Sequence, residues 1–107
     1  MNYYDFTDEQ LVTLAQRGNS DAFGELAKRY EKQIFTTTIK IIGHYQEAED
    51  AAQEIFTLAW AKIRLFGFRS KFSTWLYQIA RNYCFDIKRA QKRQPVKQGL
   101  PPADEVK

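Results

Sequence analysis

One cysteine, one histidine and three prolines leave this 107-residue chain without the raw material for several kinds of chemistry. A lone Cys84 cannot form an internal disulfide, and with only His44 to join it no Cys/His cluster can hold a structural zinc. The two residues are forty positions apart, which leaves no local nucleophile–base pair, and there is no glycine-rich loop to cradle a phosphate. An enzyme is therefore not expected, and no cofactor or metal is called for. No apolar run reaches the ~18–20 residues that a membrane span requires. The start, Met1-Asn2-Tyr3-Tyr4-Asp5, has neither a basic end nor an apolar stretch, so no secretory signal is expected and the chain reads as cytoplasmic.

What the chain has is a separation of charge. Residues 1–61 carry five bases against ten acids, a net charge of −5. Residues 62–97 carry ten bases against one acid, Asp86, a net charge of +9, and Phe66, Phe68, Phe72, Trp75, Tyr77, Tyr83 and Phe85 lie among those bases. Basic side chains neutralise phosphates and flat aromatic faces stack on unpaired bases, so this mixture suits a nucleic-acid surface. A solvated basic face can have the same composition, and composition alone does not separate the two.

The apolar periodicity predicts an all-α fold, one compact domain of about four helices. The first opens with the capping box Thr7-Asp8-Glu9-Gln10 and stops at Gly18. A second, capped by Asn19 or Ser20, runs through Phe23, Leu26, Tyr30, Ile34, Thr38, Ile41 and Ile42 to Gly43. Its Thr36-Thr37-Thr38 run is a weak point, since β-branched residues lose rotamer freedom in a helix. A third runs from about Gln46 to Ile63 with Ala48, Ala51, Ala52, Ile55 and Ala59 on one face. A loop follows over residues 64–69, with Ser70 placed to cap the fourth helix. That helix is expected to bury Phe72, Leu76, Ile79, Ala80, Tyr83 and Ile87, with Cys84 half-buried and Asp86 on the core side, paired with a base or a helix end. Residues 1–93 are expected to form the domain, and 94–107, with Pro95, Pro101 and Pro102, a linker or tail.

Two faces remain outside these stripes. On the third helix Asp50, Gln53, Glu54 and Thr57 share the side opposite the alanines, and no Lys or Arg lies between Lys40 and Lys62 to pair with the acids. Such a patch suits an Arg-rich partner, because carboxylates accept guanidinium forks; an ordinary solvated face is the plainer alternative. Phe56 and Trp60 flank it. On the fourth helix the outward side presents Thr74, Tyr77, Gln78, Arg81, Phe85, Lys88 and Lys92, while Trp75 and Asn82 sit near the core boundary and suit either purpose.

Four segments together carry a family likeness: residues 8–18 (DEQLVTLAQRG), Asp21-Ala22-Phe23, residues 48–56 (AEDAAQEIF) and residues 72–82 (FSTWLYQIARN). In this order and spacing, over residues 7 to 93, they resemble region 2 of bacterial sigma factors of the extracytoplasmic-function (ECF) group of the sigma-70 family. The resemblance implies a helical domain that docks on the clamp helices of the RNA polymerase core β′ subunit and recognises the minus-ten promoter element. By position, the polymerase-binding motif falls on Asp50, Gln53 and Glu54, within the patch that also holds Thr57. The promoter-reading segment falls on residues 64–71 and the outer face of the fourth helix, and implies a non-template base flipped into a pocket formed by the loop.

The DNA-binding residues expected on this basis are Phe66, Phe68, Arg69, Ser70, Lys71, Thr74, Trp75, Tyr77, Gln78, Arg81, Asn82, Lys88 and Arg89. Phe66 or Phe68 would supply a stacking wall, Arg69, Ser70 or the loop backbone would read the base edge, and Arg81, Lys88 and Arg89 would hold phosphates. Three departures qualify the likeness. Phe66-Gly67-Phe68 stands where ECF members commonly have Phe-Arg-Gly, so the flipped-base preference does not carry over. Gln78-Ile79 stands where housekeeping sigma factors have a tryptophan pair, which resembles the ECF pattern and implies weaker melting. Region 4, the reader of the minus-thirty-five element, has no counterpart here, which suggests an excised domain. A pure interaction module, whose basic face meets an acidic partner such as an anti-sigma protein, is the alternative of a different class.

Overall fold

The computed structural model describes residues 2–93, so the expected tail at 94–107 and Lys97 lie outside the described residues. Four helices account for most of these residues: α1 (Asp8–Gln16), α2 (Ser20–Ile42), α3 (Tyr45–Lys62) and α4 (Phe72–Arg93), with a short 3-10 turn at Ile63–Leu65. No strand occurs among the described residues. The all-α reading holds.

Local chemistry sets the boundaries. The capping box forms in full: the Gln10 amide donates to Thr7 Oγ1 at 3.1 Å and the Thr7 amide to Gln10 Oε1 at 2.8 Å. At the head of α2 it is Asn19, not Ser20, that caps, accepting from the Ala22 amide at 3.0 Å. Gly18 and Gly43 end α1 and α2 with φ of +97° and +88°, a left-handed conformation that costs glycine little. The threonine run stays helical because its hydroxyls find acceptors. Thr36 and Thr37 donate to the carbonyls of Lys32 and Gln33, and buried Thr38 donates to the Ala48 carbonyl at 3.0 Å, tying α2 to α3.

α2 packs against each of the other three helices. The core joins Leu11, Val12 and Ala15 of α1 to Leu26 and Ile34 of α2, with Ala51, Ile55 and Ala59 of α3 allowing close approach. Arg29 binds the N-terminal segment down: it pairs with Asp8 and Glu25 at 3.0 Å each and donates to the carbonyls of Tyr3, Tyr4 and Phe6. Burial works against its charge, but the hydrogen bonds to Glu25 and Asp8 more than offset it and raise its pKa.

The stripe of α4 differs from expectation. Its fully buried line is Phe72, Leu76, Ala80 and Cys84, at four-residue spacing, while Ile79, Tyr83 and Ile87 are half-buried at the flank. Cys84, expected half-buried, is wholly enclosed, and burial raises its pKa. A long helix crossing α2 and α3 presents the i, i+4 ridge to the groove between them, which a count of apolar residues does not reveal. Asp86 points outward rather than to the core and pairs with Arg89 on the surface, its side chain 67% exposed. α3 begins at Tyr45, and residues 63–65, read as loop, form the 3-10 turn. Ser70 does not cap α4: the helix starts at Phe72, and the Ser70 hydroxyl donates to the Lys71 carbonyl instead of accepting an amide.

Candidate nucleic-acid and polymerase interfaces

The loop between the 3-10 turn and α4 is held at both ends by buried aromatics. Phe66 is 5% exposed and Phe72 4%, and their rings sit 6.1 Å apart near right angles. Trp75, half-buried on α4, stands 5.3 Å from Phe66 and 5.8 Å from Phe72. Tyr30 of α2 closes the cluster, 5.8 Å from Phe72. Its hydroxyl donates to Asp8, and burial followed by that contact pushes its pKa up to about 12.

Upon this base stands an exposed arch, Gly67 to Lys71. Phe68 is 46% exposed, takes φ of +60° and leans on Phe66 with ring centroids 4.9 Å apart. A bulky non-glycine residue at that angle costs about 1–3 kcal/mol. Among the described residues no amide from Gly67 to Ser70 donates to a protein acceptor, which leaves four donors without a protein partner. Leu65, Phe66, Gly67, Arg69, Ser70 and Trp75 line a cavity of about 330 Å³, near the small end of the ~300–1,000 Å³ common for ligand sites.

Outside this loop the remaining candidates separate by exposure. Thr74, Gln78, Arg81, Asn82, Lys88 and Arg89 are exposed on α4, as are Arg69, Ser70 and Lys71 in the loop. Arg81 lies over the Phe85 ring, 5.9 Å from its centroid, which gives exposed Phe85 a cationic cover. Tyr77, read as part of the open face, is half-buried and packs against the core. Phe66 belongs to the floor of the cavity and not to its open wall. Arg89 is partly engaged by Asp86, whereas Lys88 has no ion-pair partner among the described residues.

Two contributors escaped the sequence reading. Leu65, which lines the cavity, is 80% exposed, unusual for leucine, and its only signal is an apolar residue two positions before a loop glycine. Gln16, on α1, donates from Nε2 to the carbonyls of both Ile63 and Phe66 at 2.9 Å, and its own carbonyl accepts from Arg64 Nε at 3.3 Å. Contacts across that separation leave no trace in periodicity.

The acidic patch is as the spacing implies. Asp50, Gln53, Glu54 and Thr57 are all exposed on α3, and among the described residues neither acid forms an ion pair. Asp50 accepts from Gln46 Nε2 at 3.3 Å, and Tyr83 of α4 comes near enough for burial and then the Glu54 charge to raise its pKa. Phe56 is half-buried and Trp60 36% exposed at the flank.

With this geometry in hand, known proteins give it a context. Residues 26–94 match the family described as Sigma-70 region 2. The chain is 40% identical over 87 residues to the ECF RNA polymerase sigma factor SigW of Bacillus subtilis, covering 81% of this chain and 46% of that protein. It is 39% identical over 88 residues to the RNA polymerase sigma-H factor of Pseudomonas aeruginosa, with 82% and 46% covered. It thus spans about half the length of the curated relatives it matches. An NMR structure of an engineered region 2 of sigmaE in complex with GTAAAA superposes with a TM-score of 0.78 at 33% identity, over 88% of this chain and 97% of that one. The chain belongs to the sigma-70 region 2 family, in its extracytoplasmic-function group.

Proposed function

We propose that this domain serves transcription initiation by docking on the RNA polymerase core and reading one strand of the minus-ten promoter element as it opens. It has two working faces. Asp50, Gln53, Glu54 and Thr57 meet the clamp helices of the β′ subunit, where unpaired carboxylates suit basic partners. The loop and the outer side of α4 meet the non-template strand of promoter DNA.

The observation that carries the reading is the cavity at the loop, lined by Phe66 and Trp75 and edged by Arg69 and Ser70, with exposed Phe68 standing against Phe66 beside it and loop amides that have no protein acceptor among the described residues. Taking a base from the stack costs a few kcal/mol. Stacking on an aromatic face returns about 1–3 kcal/mol per base, and hydrogen bonds to the base edge return more. Lys88 and Arg81 then hold phosphates, which position the strand without reading it. No step of this kind makes or breaks a covalent bond, so the domain acts as a factor and not as an enzyme. It works in the bacterial cytoplasm, with an anti-sigma protein as a further partner that would compete for these faces. Among the described residues no helix is long and apolar enough to cross a membrane. Residues 1–93 make up the working domain, and 94–107 serve as linker or tail.

A selection on sequence-randomised single-stranded oligonucleotides, with the chain held on polymerase core, tests the reading. Recovery of a defined motif is expected. Recovery of random sequence, or tight binding of an acidic protein with no affinity for DNA, would favour the interaction-module alternative.

A further inference from the structure

We infer that Gln16 is a positioning residue for base reading: through its hydrogen bonds to the Ile63 and Phe66 carbonyls it sets the loop that receives the unpaired base. This rests on the promoter-reading role proposed above and adds to it a residue from α1, remote in sequence from the loop.

The last carbonyls of a helix have no donor within the helix. At the end of α3 and its 3-10 turn, the Ile63 carbonyl accepts the Phe66 amide at 3.1 Å and still accepts Gln16 Nε2, while the Phe66 carbonyl takes the second Gln16 proton. A primary amide has two N–H donors, so this nitrogen is fully committed to the root of the loop. Arg64 Nε returns a bond to the Gln16 carbonyl. Among the described residues these are the only side-chain hydrogen bonds that reach residues 63–71 from another element.

The consequence lies in one peptide plane. The carbonyl of Phe66 and the amide of Gly67 belong to the same planar trans unit and point opposite ways. With the carbonyl held on Gln16, the Gly67 N–H is turned away from α1. Gly67 has no side chain to hold that plane, and glycine is the residue most free to rotate it. Gly67 lines the cavity, and Phe68, which follows, takes its left-handed angle with no hydrogen bond of its own. Gln16 thereby touches no base, yet fixes the direction of a donor that would, and the starting point of the stacking residue.

The test compares the wild-type chain with Gln16→Met, which keeps length and loses both donors. Binding is read by fluorescence anisotropy at one salt concentration, using the hexamer GTAAAA, its single-base variants and an abasic hexamer. Gln16→Met is expected to narrow the spread of affinities among the variants by about tenfold, because a preorganised loop becomes a mobile one. Binding to the abasic hexamer should stay within about twofold, since phosphate contacts are untouched. A folded Gln16→Met chain with the wild-type spread, or with an equal loss on the abasic hexamer, overturns the inference. If circular dichroism shows Gln16→Met unfolded, Gln16→Glu takes its place, since it keeps the length and likewise loses both donors, with the spread judged relative to the abasic hexamer; an unchanged relative spread counts against Gln16. A wild-type chain that shows no spread at all overturns the promoter reading itself, and the role of Gln16 with it.

Discussion

The rings of Phe66 and Phe68 lie 4.9 Å apart and two positions apart in sequence, yet Phe66 is 5% exposed and Phe68 46%. One lies buried under the cavity and the other stands exposed beside it. The difference arises because the Phe66 carbonyl is tied back to α1 while Phe68 turns out through a left-handed backbone angle.

Replacing Phe68 by Gly should therefore separate binding from stability. Relief of the strained angle offsets the greater freedom of an unfolded glycine, so stability should stay within about 1 kcal/mol. Oligonucleotide binding should weaken by about 1–3 kcal/mol through lost stacking. Phe66→Ala, in contrast, should cost about 3–5 kcal/mol of stability as a core truncation. Thermal unfolding and anisotropy on the same two variants decide it; undiminished binding by Phe68→Gly would remove the stacking wall.

The acidic face of α3 is tested by Gln53→Ala combined with Glu54→Arg. Both positions are exposed, so far-UV circular dichroism should stay native. Affinity for polymerase core should be lost, since reversing a charge against a basic partner in a desolvated contact costs several kcal/mol. Unchanged capture of core in a titration would show that this face is not the dock.

Lys88 and Asp86 should act in opposite directions. Lys88→Ala is expected to weaken binding to all sequences alike and lower the salt slope by about one unit. Asp86→Ala removes the acid that pairs with Arg89 and should strengthen binding, with a steeper slope. Salt titrations of both variants check the pair. A change in base preference with Lys88→Ala would make it a reader.

Alkali should loosen the fold through Tyr30. Its pKa is pushed up to about 12 from the ordinary 10.0, so the folded state holds this proton more firmly than the unfolded one. That contribution is complete below pH 10.0 and is lost as pH rises towards about 12. Tyr83 is raised as well, by burial and by Glu54, and adds in the same direction. Tyr30→Phe should flatten the decline without abolishing it, as urea unfolding across that range would show. An equally steep decline in Tyr30→Phe would place the effect elsewhere.

Local chemistry was legible in advance. The capping box at Thr7, the stops at Gly18 and Gly43 and the exposed set Asp50, Gln53, Glu54 and Thr57 each follow from neighbours within a turn or two, where helical angles decide the outcome. The angular reading of α4 is right about the exposure of Thr74, Gln78, Arg81 and Lys88 but inexact about its core and about Tyr77 and Asp86. Leu76 and Ala80 lie where expected, but Cys84 displaces Ile79 and Tyr83 from the buried line and Tyr77 moves inward. One apolar helix face can meet its neighbours along more than one ridge, and the crossing chooses among them.

By itself, the sequence determined the four helices, the capped start of α1, the glycine stops of α1 and α2, the division of charge and the family likeness, because each is written in near neighbours or in ordered segments. Only the tertiary structure decided which phenylalanine faces solvent, that Asp86 pairs outward with Arg89, and that Gln16 and Tyr30 support the loop and the start of α4. Those outcomes depend on contacts between elements far apart in the chain, where packing and the need to satisfy buried carbonyls act and periodicity carries no signal.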